Sequence, residues 1–515
     1  MYPPTHAATA PQRPAFVVAD TGEQVSWQQV DRRSAALARW FHGHGLRPGD
    51  VVLLVAGNDM RWAEIVWACW RSGLVVAPLN PRLGAGELYP MVEGAAPAAV
   101  VADSSAVESV RAAGATGPLL VLGEGYDAAI ADVGGVDPPE TMGGRLLFSS
   151  GTTGRPKPFR EDPPGTHPAD VPLRYAAMMT DLQVVPAPGE PPPVLFSPGP
   201  AYHSAPMAFL HAVHQLGGTV VTSTRFDAEG SLAAIARHGV THSLWVPTMF
   251  VRMLRLPEEV RRRHDLSTHR VAVHGAAPCP PEVKRAMLDW WGPIVHEYYG
   301  SSEGYGRTSI GPEEWLAHPG SVGLPKGGTV RICDEEGREL PTGEVGQVWL
   351  VRSGAGKPDR SADGAADLAA TAGWGSAGDL GFVEPAGYLH LTGRRGQTVI
   401  TGGVNVYPRE IEDVLALHPA VADVAVFGVP DEEFGEQVRA AVAPLGDPDP
   451  GLPDELVGYC RERLAHYKCP RRIHLVDRVP RSDAGKILLA ALRARALGEA
   501  QPAQDVGLRR VDGAR

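Results

Sequence analysis

Hydrophobic positions follow two rhythms along the first 350 residues, and their alternation predicts the architecture. Residues 26–42 open with Ser26 and Gln29 at capping-box spacing, then place Val30, Ser34, Leu37 and Phe41 on one helical stripe. The unbroken apolar run Val51–Val55 is the pattern of a strand buried on both faces. Trp62, Ile65, Val66, Cys69 and Trp70 return to helical spacing, Gly73 stands where that helix should stop, and residues 74–77 read as another strand. Strand, helix, strand predicts a parallel α/β layer. Apolar runs at 98–102, 118–122, 194–196, 218–222 and 271–273 extend it.

The pattern then changes. Residues 353–372, rich in Gly, Ala and Asp, read as a loop, and 376–392 alternate as a hairpin closed near 384–387. A helix at 408–417, strands near 421–428 and 437–443, a helix near 453–465, a strand at 472–476 and a last helix from 486 predict a compact α+β unit of about 100 residues. The polar tail from 501 has no periodicity and reads as disordered.

Bulk properties narrow the function. A chain of 515 residues exceeds what one core usually supports, so two or more domains are expected. The balance of 48 basic and 59 acidic residues, net −11, argues against a nucleic-acid coat or an anionic membrane partner, so phosphate binding must be local. Five widely spaced cysteines without C-x-x-C suggest neither a disulfide framework nor zinc, and read as reduced thiols of a cytoplasmic protein. The start Met1-Tyr2-Pro3-Pro4 has no signal-peptide pattern, and no segment is long and apolar enough to span a membrane.

Chemistry concentrates in Phe148-Ser149-Ser150-Gly151-Thr152-Thr153-Gly154-Arg155-Pro156-Lys157. Gly151 and Gly154 let backbone N–H groups converge on one anion, Ser149, Ser150, Thr152 and Thr153 add hydroxyl donors, and Lys157 adds a compact cation. A shorter fragment would read as a solvated turn; ten residues in this order point to polyphosphate. The spacing is not that of a Walker A loop.

This segment resembles the phosphate-binding signature of the adenylate-forming superfamily, in the branch of acyl- and aryl-CoA synthetases. The resemblance implies a large α/β N-terminal domain, layered and with a β-barrel-like subdomain, over 1–394, a hinge at Arg395 and Gly396, and a small mobile α+β C-terminal domain over 397–500. It also implies ATP, Mg²⁺ and coenzyme A as co-substrates or cofactors. Pro158 departs from the family's glycine after the lysine and should stiffen the loop exit. Residues 159–193, rich in proline and acids, suggest a surface excursion.

Further motifs occur in the family's order. Tyr299-Gly300-Ser301-Ser302-Glu303 resembles the segment whose glutamate holds Mg²⁺ and whose aromatic lies by adenine; Tyr298 precedes it, and Thr152 is a second implied metal ligand. Gly275, Ala276 and Ala277 resemble the small-residue loop under the adenine, while Asp379 and Arg394 resemble the ribose-binding pair. Lys486, in Pro480-Arg481-Ser482-Asp483-Ala484-Gly485-Lys486, resembles the catalytic lysine that bridges substrate carboxylate and α-phosphate. Such a cation is needed because adenylation makes one anion attack another; at ~4 Å and an effective dielectric near 20, two unit charges repel by roughly 4 kcal/mol. His203 matches a position flanking the carboxylate, although a loop histidine with its own partners explains it equally well. His211, His214, His242 and His274 show no metal pattern and read as structural.

Gly402 and Gly403 resemble the pantetheine tunnel of the thioester-forming state. Gly396 replaces the family's aspartate or lysine hinge residue and is expected to add freedom, making thioester formation less secure than adenylation. By position, His203, Ala205, Met207, Trp245, Val246, Phe250 and Gly275 should line an apolar acid pocket without a carboxylate for an amino group. The expected substrate is a hydrophobic or aromatic acid, a natural-product acid included, and ordinary core packing remains open for each lining residue. The alternatives are an adenylation-only enzyme serving a carrier protein or partner ligase, a luciferase-like oxygenase, and an inactive paralogue. Oligomeric state stays open between monomer and homodimer.

Overall fold

The computed structural model describes residues 1–131, 133–149, 157–300, 304–356, 368, 371–402, 404–431, 433–481 and 487–497. Contacts divide the chain into one unit of Met1–His274 with Ile294–His296, and another of Gly275–Pro293 with Glu297–Arg515.

The first unit holds two predominantly parallel sheets. One runs Leu119–Val121, Ala99–Ala102, Val51–Val55, Val75–Leu79, Gly144–Ser149 and Lys157–Glu161, parallel except for the last edge strand. The other runs Val271–His274, His242–Trp245, Val194–Phe196, Thr219–Thr222, Pro14–Val18 and Glu23–Ser26, parallel until its final pair. All the expected strands form.

Helix Trp27–Gly43 starts at a reciprocal cap: Gln29 N–H donates to Ser26 Oγ at 3.3 Å and Ser26 N–H to Gln29 Oε1 at 2.8 Å. Its stripe Val30, Ser34, Leu37 and Phe41 is fully covered. Helix Trp62–Arg71 is buried on every side rather than along one stripe. Its one carboxylate, Glu64, is neutralised by Arg33 through hydrogen bonds of 2.6 and 2.9 Å. Gly73, at φ +70°, follows this helix where a Cβ would lie 2.6 Å from Thr141 Cγ2 and 2.8 Å from Pro48 Cβ.

The four histidines read as structural are buried. His214 takes the Trp67 indole N–H on Nδ1 at 3.2 Å and donates from Nε2 to Ala15 O at 2.9 Å, which fixes one neutral tautomer. Burial lowers the pKa of His214 and of His242 to about 4, and holds His211, stacked 3.8 Å from Trp70, well below the usual imidazole range.

Residues 159–193 are largely exposed, as expected of a surface excursion, and are anchored at a few buried points. Met179, Leu182 and Val184 are fully buried. Pro158 stands opposite Phe148 on the edge strand, where a missing N–H is tolerated.

The second unit carries an antiparallel sheet in the order Gly328–Cys333, Gly346–Arg352, Asp379–Val383, Leu389–Arg394, Ser321–Lys326, Arg307–Ile310 and Val295–Gly300, the last pairing from Glu297 onward. The expected hairpin turns through Gly387, at φ +91°. Beyond it comes a five-stranded sheet, Val404–Val406, Val399–Thr401, Gly435–Pro444 and Val421–Asp431, with Arg472–Leu475 parallel to Gly435–Pro444. Helices Pro408–Ala416 and Leu452–Arg461 contribute to a core with Val399, Val424 and Val442; Leu489–Ala496 contributes to another with Phe427, Ala441 and Val479.

All five cysteines are free and buried. Burial raises the thiols of Cys69 and Cys279 far above their ordinary value, raises Cys469, and brings Cys460 to about 12. Among the described residues no helix is long and apolar enough to cross a membrane.

Candidate active site

The segment expected to hold phosphate joins two paired strands. Strands Gly144–Ser149 and Lys157–Glu161 pair from Arg145 opposite Glu161 to Ser149 opposite Lys157. Ser150, Gly151, Thr152, Thr153 and Gly154 fall between these ends and lie outside the described residues. The connection follows the carboxyl end of a strand parallel to Val75–Leu79, where open α/β sheets bind ligands. Its base is tightly built: a Cβ on Gly144 would sit 2.1 Å from Glu161 O. The Glu161 carboxylate accepts from Arg145 Nε at 2.9 Å, Arg174 Nη2 at 2.7 Å and the Tyr175 hydroxyl at 3.1 Å. Burial alone would raise its pKa; the Arg145 and Arg174 guanidiniums and the Tyr175 hydroxyl outweigh burial and hold it below the usual range.

His203 ends the connection after Val194–Phe196 and is the N-cap residue of helix Ser204–Gln215. Asn58 fastens that connection, donating from Nδ2 to Gly199 O at 3.2 Å and accepting on Oδ1 from Ala201 N–H at 2.8 Å. The same amide reaches Thr222 Oγ1 and Ser223 O at 2.8 and 2.9 Å. Sequence reasoning missed Asn58. Its place just beyond the buried strand Val51–Val55, at a carboxyl end, was the available signal.

Met207, Trp245 and Phe250 are 1%, 2% and 0% exposed, so each fills core space. Trp245 contacts Phe196 and Phe250 at ring separations of 5.6 and 6.1 Å, and Phe250 contacts His274 at 5.4 Å. Val246, at the N-cap of Pro247–Leu254, and Ala205, in the first turn of its helix, are half-buried.

In the second unit, Gly275 meets Tyr298. A Cβ at 275 would stand 2.9 Å from Tyr298 Cε1 and 3.0 Å from Tyr298 O, so only glycine admits the ring. Ala276 follows at φ +67°, a strained conformation for a residue with a side chain, and is exposed, with Ala277 half-buried. Burial raises the Tyr298 hydroxyl to about 12.

The two residues expected at the ribose lie together. Asp379 and Arg394 are direct partners across the hairpin, Arg394 Nε donating to Asp379 Oδ1 at 2.6 Å. The Tyr299 hydroxyl donates to Asp379 Oδ2 at 2.7 Å, a partner the sequence did not reveal. With one hydrogen bond on each oxygen, this carboxylate, 6% exposed, keeps lone pairs for a diol. Gly300 ends the Val295–Gly300 strand and is exposed.

Ser301, Ser302, Glu303, Gly403 and Lys486 lie outside the described residues. Gly402 lies at φ +57° and donates its N–H to Phe434 O at 2.9 Å. Gly396 is at φ +81° in a turn where Gln397 N–H donates to Arg394 O at 3.0 Å, and Arg395 N–H donates to Gly378 O at 2.7 Å. This corrects the reading of Gly396 as mere freedom: the turn uses the left-handed conformation that glycine adopts without strain.

Fold and motifs together define an enzyme that consumes ATP and forms AMP. The chain matches the AMP-binding enzyme family over residues 4–356 and the AMP-binding enzyme C-terminal domain over 410–486, and it belongs to that family, within the acid–CoA ligases. It is 32% identical over 501 residues to a feruloyl-CoA synthase of an Amycolatopsis species, covering 93% of this chain and 96% of that one. It is 31% identical over 513 residues to a fatty acid–[acyl-carrier-protein] ligase of Streptomyces coeruleorubidus, covering 96% and 95%. Among solved structures, o-succinylbenzoate CoA synthetase from Bacillus subtilis in complex with its acyl-adenylate intermediate superposes with a TM-score of 0.77 at 25% identity, covering 98% and 99%.

Proposed function

We propose that the protein converts a hydrophobic or aromatic carboxylic acid and ATP into the acyl adenylate and pyrophosphate, then passes the acyl group to coenzyme A. The acid's oxygen attacks the α-phosphorus and pyrophosphate leaves; the thiol sulfur then attacks the acyl carbon and AMP leaves. The observation that carries the reading is Asp379, buried, held by Arg394 and Tyr299 and able to accept from a ribose diol. Gly275, whose missing side chain lets the Tyr298 ring pack against it, is assigned with Tyr298 to the adenine side of the site.

Lys486 is assigned the bridge between carboxylate and α-phosphate, and the loop from Ser149 to Lys157 the phosphates. Glu303 and Thr152 offer hard oxygen donors of the kind Mg²⁺ takes, and the ion supplies charge neutralisation on the phosphates. His203, Ala205, Met207, Trp245, Val246, Phe250 and Gly275 are assigned to the acid pocket, Gly402 and Gly403 to the pantetheine path, and Arg395 and Gly396 to the hinge between 1–394 and 397–500. Buried free thiols fit a cytoplasmic protein.

Likeness to a carrier-protein ligase supports a second reading, in which the adenylate is delivered to a protein-bound thiol. ATP–pyrophosphate exchange over a panel of acids, with and without CoA, separates the two. Acid-dependent exchange with thioester product supports the first, exchange without thioester supports the second, and no exchange with any acid overturns both.

A further inference from the structure

We propose that Asp423 and Arg481 are positioning residues for the adenylation half-reaction, acting by fixing the base of the short segment that carries Lys486. The proposal rests on the role given to Lys486 above. Residues 482–486 lie outside the described residues, and both flanks are placed. Arg481 and Ile487 form an antiparallel bridge, and Leu488 N–H donates to Pro480 O at 2.9 Å. One flank is gripped by a fork: Arg481 Nε and Nη2 donate to the two Asp423 carboxylate oxygens, both at 2.8 Å, and Nη2 also reaches Val424 O at 3.2 Å. On the other flank, Ile487 and Leu489 pack against Phe427, Val429, Val476, Val479 and Leu492.

What aims Asp423 is an irregularity in its strand. The register of Val421–Asp431 against Gly435–Pro444 shifts between Val421 and Asp423, and such bulges turn a side chain out of the regular alternation. Asp423 Oδ1 is held further by Val424 N–H at 2.8 Å. Glu412, from helix Pro408–Ala416, is half-buried near this pair, its Oε1 accepting from Val426 N–H at 2.8 Å.

The Asp423 and Arg481 side chains are 30% and 22% exposed, so the pair retains water and adds little stability. What a two-point fork adds is direction. A lysine that must neutralise one developing charge depends on direction, since a misplacement of about 1 Å costs on the order of 100-fold in rate.

The test separates the half-reactions in the full-length protein. Single-turnover acyl-adenylate formation is measured for Asp423→Asn, Arg481→Lys and Lys486→Ala, beside transfer from supplied acyl adenylate to CoA, or to hydroxylamine where CoA is not accepted. Asp423→Asn and Arg481→Lys should slow adenylate formation roughly 10- to 100-fold while leaving transfer within about twofold, and Asp423→Glu should recover part of the loss. Equal slowing of both steps, or slowing of neither, overturns the proposal. Lys486→Ala distinguishes the failures. If it adenylates normally, the role of Lys486 falls and this inference with it; if it loses adenylation while Asp423→Asn keeps it, only the positioning claim falls.

Discussion

The hairpin joined by the segment proposed to hold phosphate and the segment that carries Lys486 are both closed by a carboxylate and a guanidinium, at bases of very different length. The first stands on five register pairs from Arg145 opposite Glu161 to Ser149 opposite Lys157, with Glu161 also engaging Arg174 and Tyr175. The second stands on the Arg481–Ile487 bridge and one fork to Asp423. The Arg145 and Glu161 side chains are 9% and 38% exposed, those of Arg481 and Asp423 22% and 30%. The guanidinium is the more deeply buried at the first base, while the two carboxylates are exposed to a similar extent, so the bases differ chiefly in the length of paired strand beneath them.

Removing the carboxylate on each side breaks the comparison most directly. Glu161→Ala leaves the buried Arg145 guanidinium without its carboxylate; with Glu161 itself 38% exposed, the loss in urea unfolding should be about 1 to 3 kcal/mol. KM for ATP should rise with it; a loss below about 1 kcal/mol would show that the hairpin does not lean on this pair.

Protonation separates Glu412 from the buried histidines next, His474 of the second unit, also lowered to about 4, going with the latter. His6, His214 and His242 are lowered to about 4 and His269 to about 3, all chiefly by burial. The unfolded chain then binds more protons below about 6.5, so this stability is complete above that pH and is lost as pH falls toward 4, by about 1.4 kcal/mol per unit for each group. Glu412 has the opposite sign: burial, with Asp413 and Asp423 adding to it and Arg481 opposing, lifts its carboxyl from 4.5 to about 7. Its contribution is present at low pH and is lost as pH rises toward 7. Hydrogen exchange resolved by segment should show the first unit gaining protection from pH 4 to 6.5 and the strand around Val426 losing it toward pH 7. Glu412→Gln should abolish the second trend alone.

Smaller effects sharpen the contrast. Asp423→Asn should cost at most about 1 kcal/mol in the same urea series, as half-exposed pairs do. A loss as large as that of Glu161→Ala would make the two bases equivalent. Gly396→Ala, placed at φ +81° with no neighbour within 4 Å of the new Cβ, should cost about 1 kcal/mol from backbone strain. Gly396→Asn, which tolerates that conformation, should cost a few tenths. The left-handed turn also makes Gly396→Pro a disruption of the turn rather than a stiffer hinge.

Local signals account for what the sequence made legible. The capping box at Ser26, the apolar strand Val51–Val55 and the hairpin turning through Gly387 each express a short-range rule, and each formed at its place. Asp379 and Arg394 were legible through a motif, and the hairpin register explains why they meet. Asn58, Tyr299 as the second partner of Asp379, and Arg174 on Glu161 were not, because their partners lie far along the chain and no local pattern announces a long-range hydrogen bond. Residues 159–193 were legible in part: their proline-rich, acidic composition reads as surface, which most of the segment is, and the buried anchors Met179, Leu182 and Val184 went unannounced.

An enzyme that makes a mixed anhydride of an acid must also keep that ester from its own nucleophiles. The five thiols are covered, and at least four are held in the protonated form, the weakly nucleophilic one. Self-acylation at sulfur is thereby suppressed in the native protein.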